Sequence, residues 1–185
     1  MGGRDTIRGD AGDDDLNGNL GNDKIYGGLG RDFVRGGQDD DWVYGDAGDD
    51  WHVNGNMGND VVYGGDGNDV LHGGPGFDHL IGEWGNDTLS GDLGNDSLTG
   101  GPGADLYRFG NASGHDTVYG FDGGQGDRIL ITKNINGTAI TDFAGVVDRI
   151  VQEGGGTRLD LGNGNNVFFA GTPKDAIWSG VVEFG

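Results

Sequence analysis

The sequence predicts an all-β fold: a right-handed parallel β-roll, which is a flattened β-solenoid, followed by an antiparallel β cap at the C-terminus. Glycine accounts for 44 of the 185 residues, a composition that without a period would indicate disorder. Here, however, the glycines recur every nine residues, and each block ends in a short alternating apolar pattern. After residue 108 the period fades, and strand-like runs separated by turns replace it.

The nine-residue repeat is the strongest signal in the chain. From Gly9 the blocks read GDAGDDDLN, GNLGNDKIY, GGLGRDFVR and GGQDDDWVY; the phase returns at Gly55 and runs through GGPGADLYR. The eighth position of a block is nearly always aliphatic, and the sixth is always aspartate. The sixth-position residues are Asp5, Asp14, Asp23, Asp32, Asp41, Asp50, Asp60, Asp69, Asp78, Asp87, Asp96 and Asp105.

Each block predicts one loop and one strand. Glycine at positions one, two and four permits positive φ, and the last three residues form a short strand with one side chain inward. Two blocks then make one turn, and the strands stack into two parallel sheets. One aliphatic side chain contributes about 2–3 kcal/mol, whereas ordering each residue costs about 1–2 kcal/mol. Burial alone therefore cannot hold the roll together.

We predict that a hard cation supplies the stabilisation that burial of apolar side chains does not provide. The chain carries 31 acidic residues, of which three are glutamate, and its net charge is −20. Stacking brings the sixth-position carboxylates of neighbouring turns together, and Ca²⁺ takes six to eight oxygen ligands. The absence of cysteine and the presence of only four histidines argue against a soft metal. Two stacks of six loops would hold about ten Ca²⁺ ions. Candidate carbonyl ligands include Gly28, Gly30, Gly65, Gly67, Gly74, Gly76, Gly101 and Gly103.

The blocks resemble the RTX nonapeptide repeat, GGxGxDxUx, which is a calcium-binding β-roll signature. The resemblance covers residues 3–108 and implies Ca²⁺ held between consecutive turns by the sixth-position aspartates and loop carbonyls. It also implies a secreted, extracellular bacterial protein that leaves the cell through a type I (ABC) exporter and folds when it meets Ca²⁺. Because the first block is incomplete, we expect the chain to continue an upstream domain that the roll stabilises.

Residues 115–131 resemble the closing turn of RTX rolls in serralysin-like proteases and alginate epimerase modules. Asp116 would then belong to a degenerate further unit, and Asp122 and Asp127 would complete the last calcium sites. We divide the chain into a roll, residues 1–108, and a closing turn with cap, residues 109–185, which carries the secretion signal.

The cap is predicted as antiparallel strands in the runs TAITDF, VVDRIVQE, TRLDL, NVFFAG and IWSGVVEF, with hairpin turns at 154–156 and 162–166. A cap is expected because an open solenoid end exposes apolar surface and unpaired strand edges.

One block has ten residues instead of nine. Between Gly45 and Gly55, an inward Val53 requires Trp51 to be an extra, bulged residue after Asp50. The alternative would place His52 in the core, which is less favourable.

Several function classes are excluded or disfavoured by the sequence. The acidity argues against nucleic-acid binding, and no run is long and apolar enough to span a membrane. The chain has no HExxH, GxSxG or P-loop motif. We therefore expect no catalytic activity in this chain, although its parent protein could be an enzyme.

An aromatic row is predicted on one outer face, because alternate blocks share a sheet. Tyr26, Tyr44 and Tyr63 would lie about 4.8 Å apart, with Trp42 beside them. Three interpretations stay open. The row could bind a polysaccharide, as in the accessory modules of alginate epimerases, could be covered by an upstream domain, or could stabilise the strands.

Overall fold

A computed structural model describes residues 2–178 and 180–185. Each block of the roll contains one strand, and further strands form the closing turn and the cap. The strands are β1 Thr6–Arg8, β2 Asp15–Leu20, β3 Lys24–Leu29, β4 Phe33–Gln38, β5 Trp42–Ala47, β6 His52–Met57, β7 Val61–Asp66, β8 Val70–Gly76, β9 His79–Trp84, β10 Thr88–Gly94, β11 Ser97–Thr99, β12 Leu106–Phe109, β13 His115–Tyr119, β14 Arg128–Ile131, β15 Ile150–Glu153, β16 Gly156–Gly162, β17 Asn165–Ala170 and β18 Val182–Phe184. One short helix, α1, spans Phe143–Val147, and 3₁₀ turns lie at Ile135–Gly137 and Lys174–Ala176. None of the helices described is long and apolar enough to cross a membrane.

Two parallel sheets form the roll, as the nine-residue period predicts. The odd-numbered strands from β1 to β13 form one sheet, and the even-numbered strands from β2 to β14 form the other. Blocks two apart pair in register, so that Ile25 faces Val43 and Val43 faces Val62. Two blocks therefore make one turn, and the predicted all-β parallel roll is confirmed.

The core of the roll consists of the eighth-position side chains, which both sheets contribute to the space between them, and it continues into buried residues of the cap. Ile25, Val34, Val43, Val53, Val62, Leu71, Leu80, Leu89 and Leu98 are completely buried. Val53 pairs with Val34 and Leu71, while Trp51 lies outside the strand and half exposed. The extra residue at Trp51 is thus confirmed, because the insertion keeps the apolar row continuous.

The strands are longer than the three residues predicted. β3, for example, continues through Gly27 and Gly28 to Leu29, and its second half stays in register with β5. Backbone pairing between turns therefore extends across the start of the next block, because parallel ladders need no side chain to form.

Glycine serves different purposes at different positions of the block. Position two always has positive φ, including where glycine is replaced, as at Glu83 (φ 73°) and Asp92 (φ 67°). Position one, by contrast, does not have positive φ, so the predicted conformational reason does not apply there. A Cβ at Gly64 would lie 2.6 Å from Oδ2 of Asp69 and 2.7 Å from the carbonyl oxygen of Gly82. Position one is therefore glycine because there is no space for a Cβ atom.

The cap contains the predicted antiparallel strands, and it also pairs in parallel with the roll. Strands β15, β16 and β17 are antiparallel to one another, but β17 pairs in parallel with β13, and β18 in parallel with β14. The cap thereby continues both sheets of the roll, because the last turn presents two parallel edges. The predicted turns between β15 and β16 and between β16 and β17 are present.

One predicted cap strand was wrong, and two were too long. In the run VVDRIVQE only Ile150–Glu153 is a strand, because its first residues belong to α1. The run TAITDF is irregular and leads into α1, whose N-cap Asp142 accepts a hydrogen bond from the backbone amide of Gly145. This capping outweighs the strand propensity of the run. In the described part of the run from Ile177, residues 177–178 and 180–184, the strand is Val182–Phe184.

Candidate metal centre

The sixth-position aspartates form two ladders, one along each edge of the roll. The first ladder contains Asp5, Asp23, Asp41, Asp60, Asp78, Asp96 and Asp116, and the second contains Asp14, Asp32, Asp50, Asp69, Asp87, Asp105 and Asp127. In both, each backbone amide donates to Oδ1 of the aspartate one turn further on, at 2.7–3.1 Å. These bonds fix the rotamer and register of the ladder carboxylates that follow Asp5 and Asp14, the first members of the two ladders.

The second carboxylate oxygen, Oδ2, has no such partner. It is buried and lacks any hydrogen-bond partner among the described residues in Asp14, Asp23, Asp32, Asp41, Asp50, Asp60, Asp69, Asp78, Asp87, Asp96 and Asp105. A buried, unpaired carboxylate oxygen is costly, because its hydration is lost and nothing replaces it. A whole row of such oxygens is the arrangement that a bound cation would satisfy.

Backbone oxygens approach the same space. Oδ2 of Asp69 and the carbonyl oxygen of Gly82 both face the α-carbon of Gly64. The position-four carbonyls of Gly30 and Gly67 likewise point along the stack, within 2 Å of where the next position-four glycine would place a Cβ. The groups around each loop are thus oxygens, the ligand type that Ca²⁺ takes.

Burial changes the acidity of the ladders. It raises the pKa to about 7 for Asp41, Asp50, Asp60, Asp69, Asp78, Asp87, Asp96 and Asp105, and to about 8 for Asp116. The pKa values of Asp32 and Asp127 are also raised by burial. Neighbouring carboxylates in the same ladder add to this effect. In the folded chain, ionisation of the ladder carboxylates near neutral pH is therefore unfavourable unless positive charge compensates it.

The ends of the ladders differ from the middle. Asp116 and Asp127 both accept the backbone bond of the preceding turn, as the predicted further unit requires, and Val118 is fully buried. In Asp127, however, Oδ2 accepts from the backbone amide of Asp122 at 2.8 Å. Asp122 itself is exposed and lies outside both ladders. Hydrogen bonds from Gln125 and Gly124 lower the pKa of Asp122, and these bonds form a turn.

The described residues form no metal cage made of side chains alone. In residues 2–178 and 180–185, no group of three or more histidine, aspartate or glutamate side chains converges as metal ligands do. Each loop contributes one ladder carboxylate, so the remaining ligands would have to be backbone carbonyls. The donor set fits Ca²⁺, which accepts such mixed oxygen shells.

The aromatic row lies on the odd-numbered sheet, where the alternation predicts it. The ring centroids of Tyr26 and Tyr44 are 4.7 Å apart, and those of Tyr44 and Tyr63 are 4.9 Å apart, with the planes nearly parallel. Trp42 lies 6.4 Å from Tyr44, with the ammonium group of Lys24 over its ring. Both faces of Tyr44 are therefore covered by tyrosine rings, and the guanidinium group of Arg8 lies over the ring of Tyr26.

Comparison with known proteins assigns the class. The model of the RTX calcium-binding nonapeptide repeat matches four times, at residues 1–25, 18–51, 52–80 and 81–111. The matches cover more than half of the chain, which therefore belongs to the RTX family of calcium-binding repeat proteins. Such repeats bind calcium and are typical of secreted bacterial proteins.

The fold is also found in solved structures. One of them is the crystal structure of the extracellular lipase LipA from Serratia marcescens, with a TM-score of 0.52 and 21% sequence identity. The alignment covers 99% of this chain and 38% of the lipase, so the chain spans well under half of that protein's length. No curated protein gives a match.

The sequence interpretation missed the role of the position-one glycine. A signal for it was present, because position one is glycine in every block from Gly9 to Gly100, whereas position two tolerates aspartate, asparagine and glutamate. The left-handed backbone at position two accepts those side chains at modest cost. Position one is packed against oxygen atoms and has no space for any side chain.

Proposed function

We propose that this chain is a calcium-gated folding module of a secreted bacterial protein. The observation that carries the proposal is the row of buried Oδ2 atoms that lack partners among the described residues. Without cations the ladders bring like charges together in a buried setting, so the extended chain is favoured. The extended chain would suit passage through a type I exporter, with the exporter reading the C-terminal part of residues 109–185.

Calcium supplies positive charge to oxygen ligands. The chain's own contribution is to place each Oδ1 on a backbone amide, so that Oδ2 and the loop carbonyls are preorganised. Sites of extracellular affinity have dissociation constants of about 10⁻⁴–10⁻³ M. At ten times that concentration each site adds about 1.4 kcal/mol, so about ten sites would add roughly 14 kcal/mol. That sum is comparable to the whole stability of a domain.

The proposed partner of the roll is an upstream domain of the same polypeptide. Ile7 and Leu16, at the first turn, are only partly buried, whereas the equivalent residues of later turns are completely buried. A preceding segment packed on this end would complete their burial. The parent protein's activity would reside in that upstream part.

Carbohydrate binding by Tyr26, Trp42, Tyr44 and Tyr63 is the alternative function. Sugars stack on the faces of aromatic rings, and here the tyrosine faces stack on one another. This packing favours the interpretation that the row stabilises the odd-numbered sheet.

The deciding experiment is a Ca²⁺ titration of an EGTA-treated sample, followed by far-UV circular dichroism. We expect a cooperative transition from coil to β structure at sub-millimolar to millimolar Ca²⁺, with no transition in Mg²⁺. Mg²⁺ is the matched control because it demands a smaller octahedral shell. A complete β spectrum in EGTA would refute calcium gating.

A further inference from the structure

A groove on the even-numbered sheet is not used by the calcium ladders. It crosses β2, β4, β6 and β8 and has a volume of about 590 Å³. Five side-chain amides line it, and we call it the amide groove. They are Asn17, Asn19, Gln38, Asn54 and Asn56.

The amide groove is electrically neutral in a strongly acidic protein. None of the described residues that line it is charged, although the net charge of the chain is −20. The matching place on the odd-numbered sheet is lined by Asp46, Asp66 and Glu83. One cation, Arg35 on β4, lies in register between Asn17 and Asn54, but its guanidinium group is paired with Asp15. A ligand of the amide groove should therefore be uncharged, because no charged residue among those described lines the groove.

The two walls of the groove offer different contacts. One wall carries the asparagine amides. Nδ2 of Asn19 donates to the carbonyl oxygen of Asn17, and Nδ2 of Asn54 contacts Nε2 of His52. Each amide has two donor hydrogens and two acceptor lone pairs, so the remaining ones can pair with a hydroxyl group. The other wall carries Leu20, Met57 and Pro75, which are exposed; 58% of the surface of Met57 is accessible. The amide of Gln38 interrupts this apolar row, in register between Leu20 and Met57. Hydroxyl groups on the edge of a ring and C–H groups on its face are the combination that a hexose presents.

The amides are held in place and recur along the roll. Oδ1 of Asn17 accepts from the backbone amide of Asn19 at 2.9 Å, and Oδ1 of Asn54 accepts from that of Asn56 at 2.7 Å. One strand, β4, separates the two pairs, so they lie about 10 Å apart at the usual strand spacing. An extended β-1,4-linked glucan presents equivalent hydroxyl groups once per disaccharide, which is a similar length.

We propose that the amide groove binds an uncharged, extended β-linked glycan whose chain runs along the axis of the roll. The amide pairs on β2 and β6 contact hydroxyl groups of alternate sugars, and Leu20, Met57 and Pro75 contact their C–H faces. This binding requires the calcium-folded roll, since the groove exists only when the four strands are stacked.

The test is affinity electrophoresis of the calcium-loaded chain in gels containing hydroxyethyl cellulose, with alginate gels for comparison. The test variant is Asn19→Gly with Asn56→Gly. Both positions have positive φ, 76° and 73°, and glycine is the usual residue there, so the backbone is not strained. The control is Asp46→Gly, which has the same position in its block and the same backbone conformation (φ 72°) on the opposite sheet.

We expect hydroxyethyl cellulose to retard the native chain and the Asp46→Gly control equally. The double variant should bind about tenfold more weakly, as expected when hydrogen-bonding groups are lost. No retardation of the native chain, equal retardation of the double variant, or retardation by alginate in place of the neutral glycan would each overturn the proposal. Circular dichroism of the same samples distinguishes this failure from failure of calcium gating, in which no variant would fold with Ca²⁺.

Discussion

The backbone amide of Asp60 donates a hydrogen bond to Oδ1 of Asp78 at 2.8 Å, while Oδ2 of Asp78 is buried and unpaired within the described structure. One carboxylate thus has a structural oxygen and a free oxygen. The structural oxygen sets the register between turns, and the free oxygen is available to a cation. Repetition of this relationship along both edges couples the folding of the roll to its charge state.

Acid should partly replace calcium. Burial raises the pKa of the ladder carboxylates from 3.8 to about 7, so the folded chain binds protons more tightly than the unfolded chain between these values. In EGTA the stability of the roll therefore falls as pH rises through this window. Circular dichroism in EGTA should show more β structure at about pH 5 than at about pH 8. Equal spectra would contradict the raised pKa values.

Removal of one ladder carboxylate should weaken calcium-induced folding. Asp69→Asn removes a buried free oxygen from the middle of a ladder, and the two adjoining sites lose negative charge. We expect the calcium-loaded roll to lose about 1–3 kcal/mol, and the Ca²⁺ midpoint to rise. Asp66→Asn is the control, because Asp66 is exposed and outside the ladders. Equal midpoints for the two variants would exclude Asp69 as a ligand.

Position-one glycine should not tolerate a methyl group. In Gly64→Ala the new Cβ would collide with Oδ2 of Asp69 and the carbonyl of Gly82. We expect a loss of about 2–4 kcal/mol in thermal unfolding with Ca²⁺. Gly154→Ala is the control, since a Cβ there meets no atom of the described chain within 4 Å. Similar melting temperatures for both variants would show that the loop can relax.

The stacked tyrosines should contribute stability. Tyr44 lies between Tyr26 and Tyr63, so Tyr44→Ala removes two stacking contacts and should cost about 1–2 kcal/mol. Tyr119→Ala, at an exposed site of the same sheet, should cost less. If polysaccharide retardation disappears in Tyr44→Ala or Trp42→Ala while the fold is retained, the aromatic row is a binding face after all.

The cap should be required for folding of the roll. Tyr107 packs against Phe121, and Phe121 against Phe169 in β17, so deleting residues 109–185 exposes the last apolar layer. We expect this deletion to abolish calcium-induced folding measured by circular dichroism. Deletion of residues 1–8 at the other end, which removes the short β1 and only the end member of one ladder, Asp5, should preserve it. Full folding without the cap would refute this role.

Much of the roll could be predicted from the sequence because the contacts between its turns recur with the nine-residue period. A period of nine places Val43 beside Ile25 and Val62, and the fixed aspartate and aliphatic positions then determine the ladders, the core and the ligand type. The position of the extra residue in the ten-residue block could also be predicted, because only an extra Trp51 keeps Val53 in the apolar row.

Other features depend on contacts that no period encodes, and only the tertiary structure decided them. The parallel pairing of β17 with β13 joins residues about fifty positions apart, and its register follows from the edge that the last turn leaves free. Asp122 and Asp127 are close in sequence, yet only Asp127 reaches the ladder. The space around Gly64 and the amide groove arise from the stacking of separate turns, because their walls come from strands that meet only when the roll has folded.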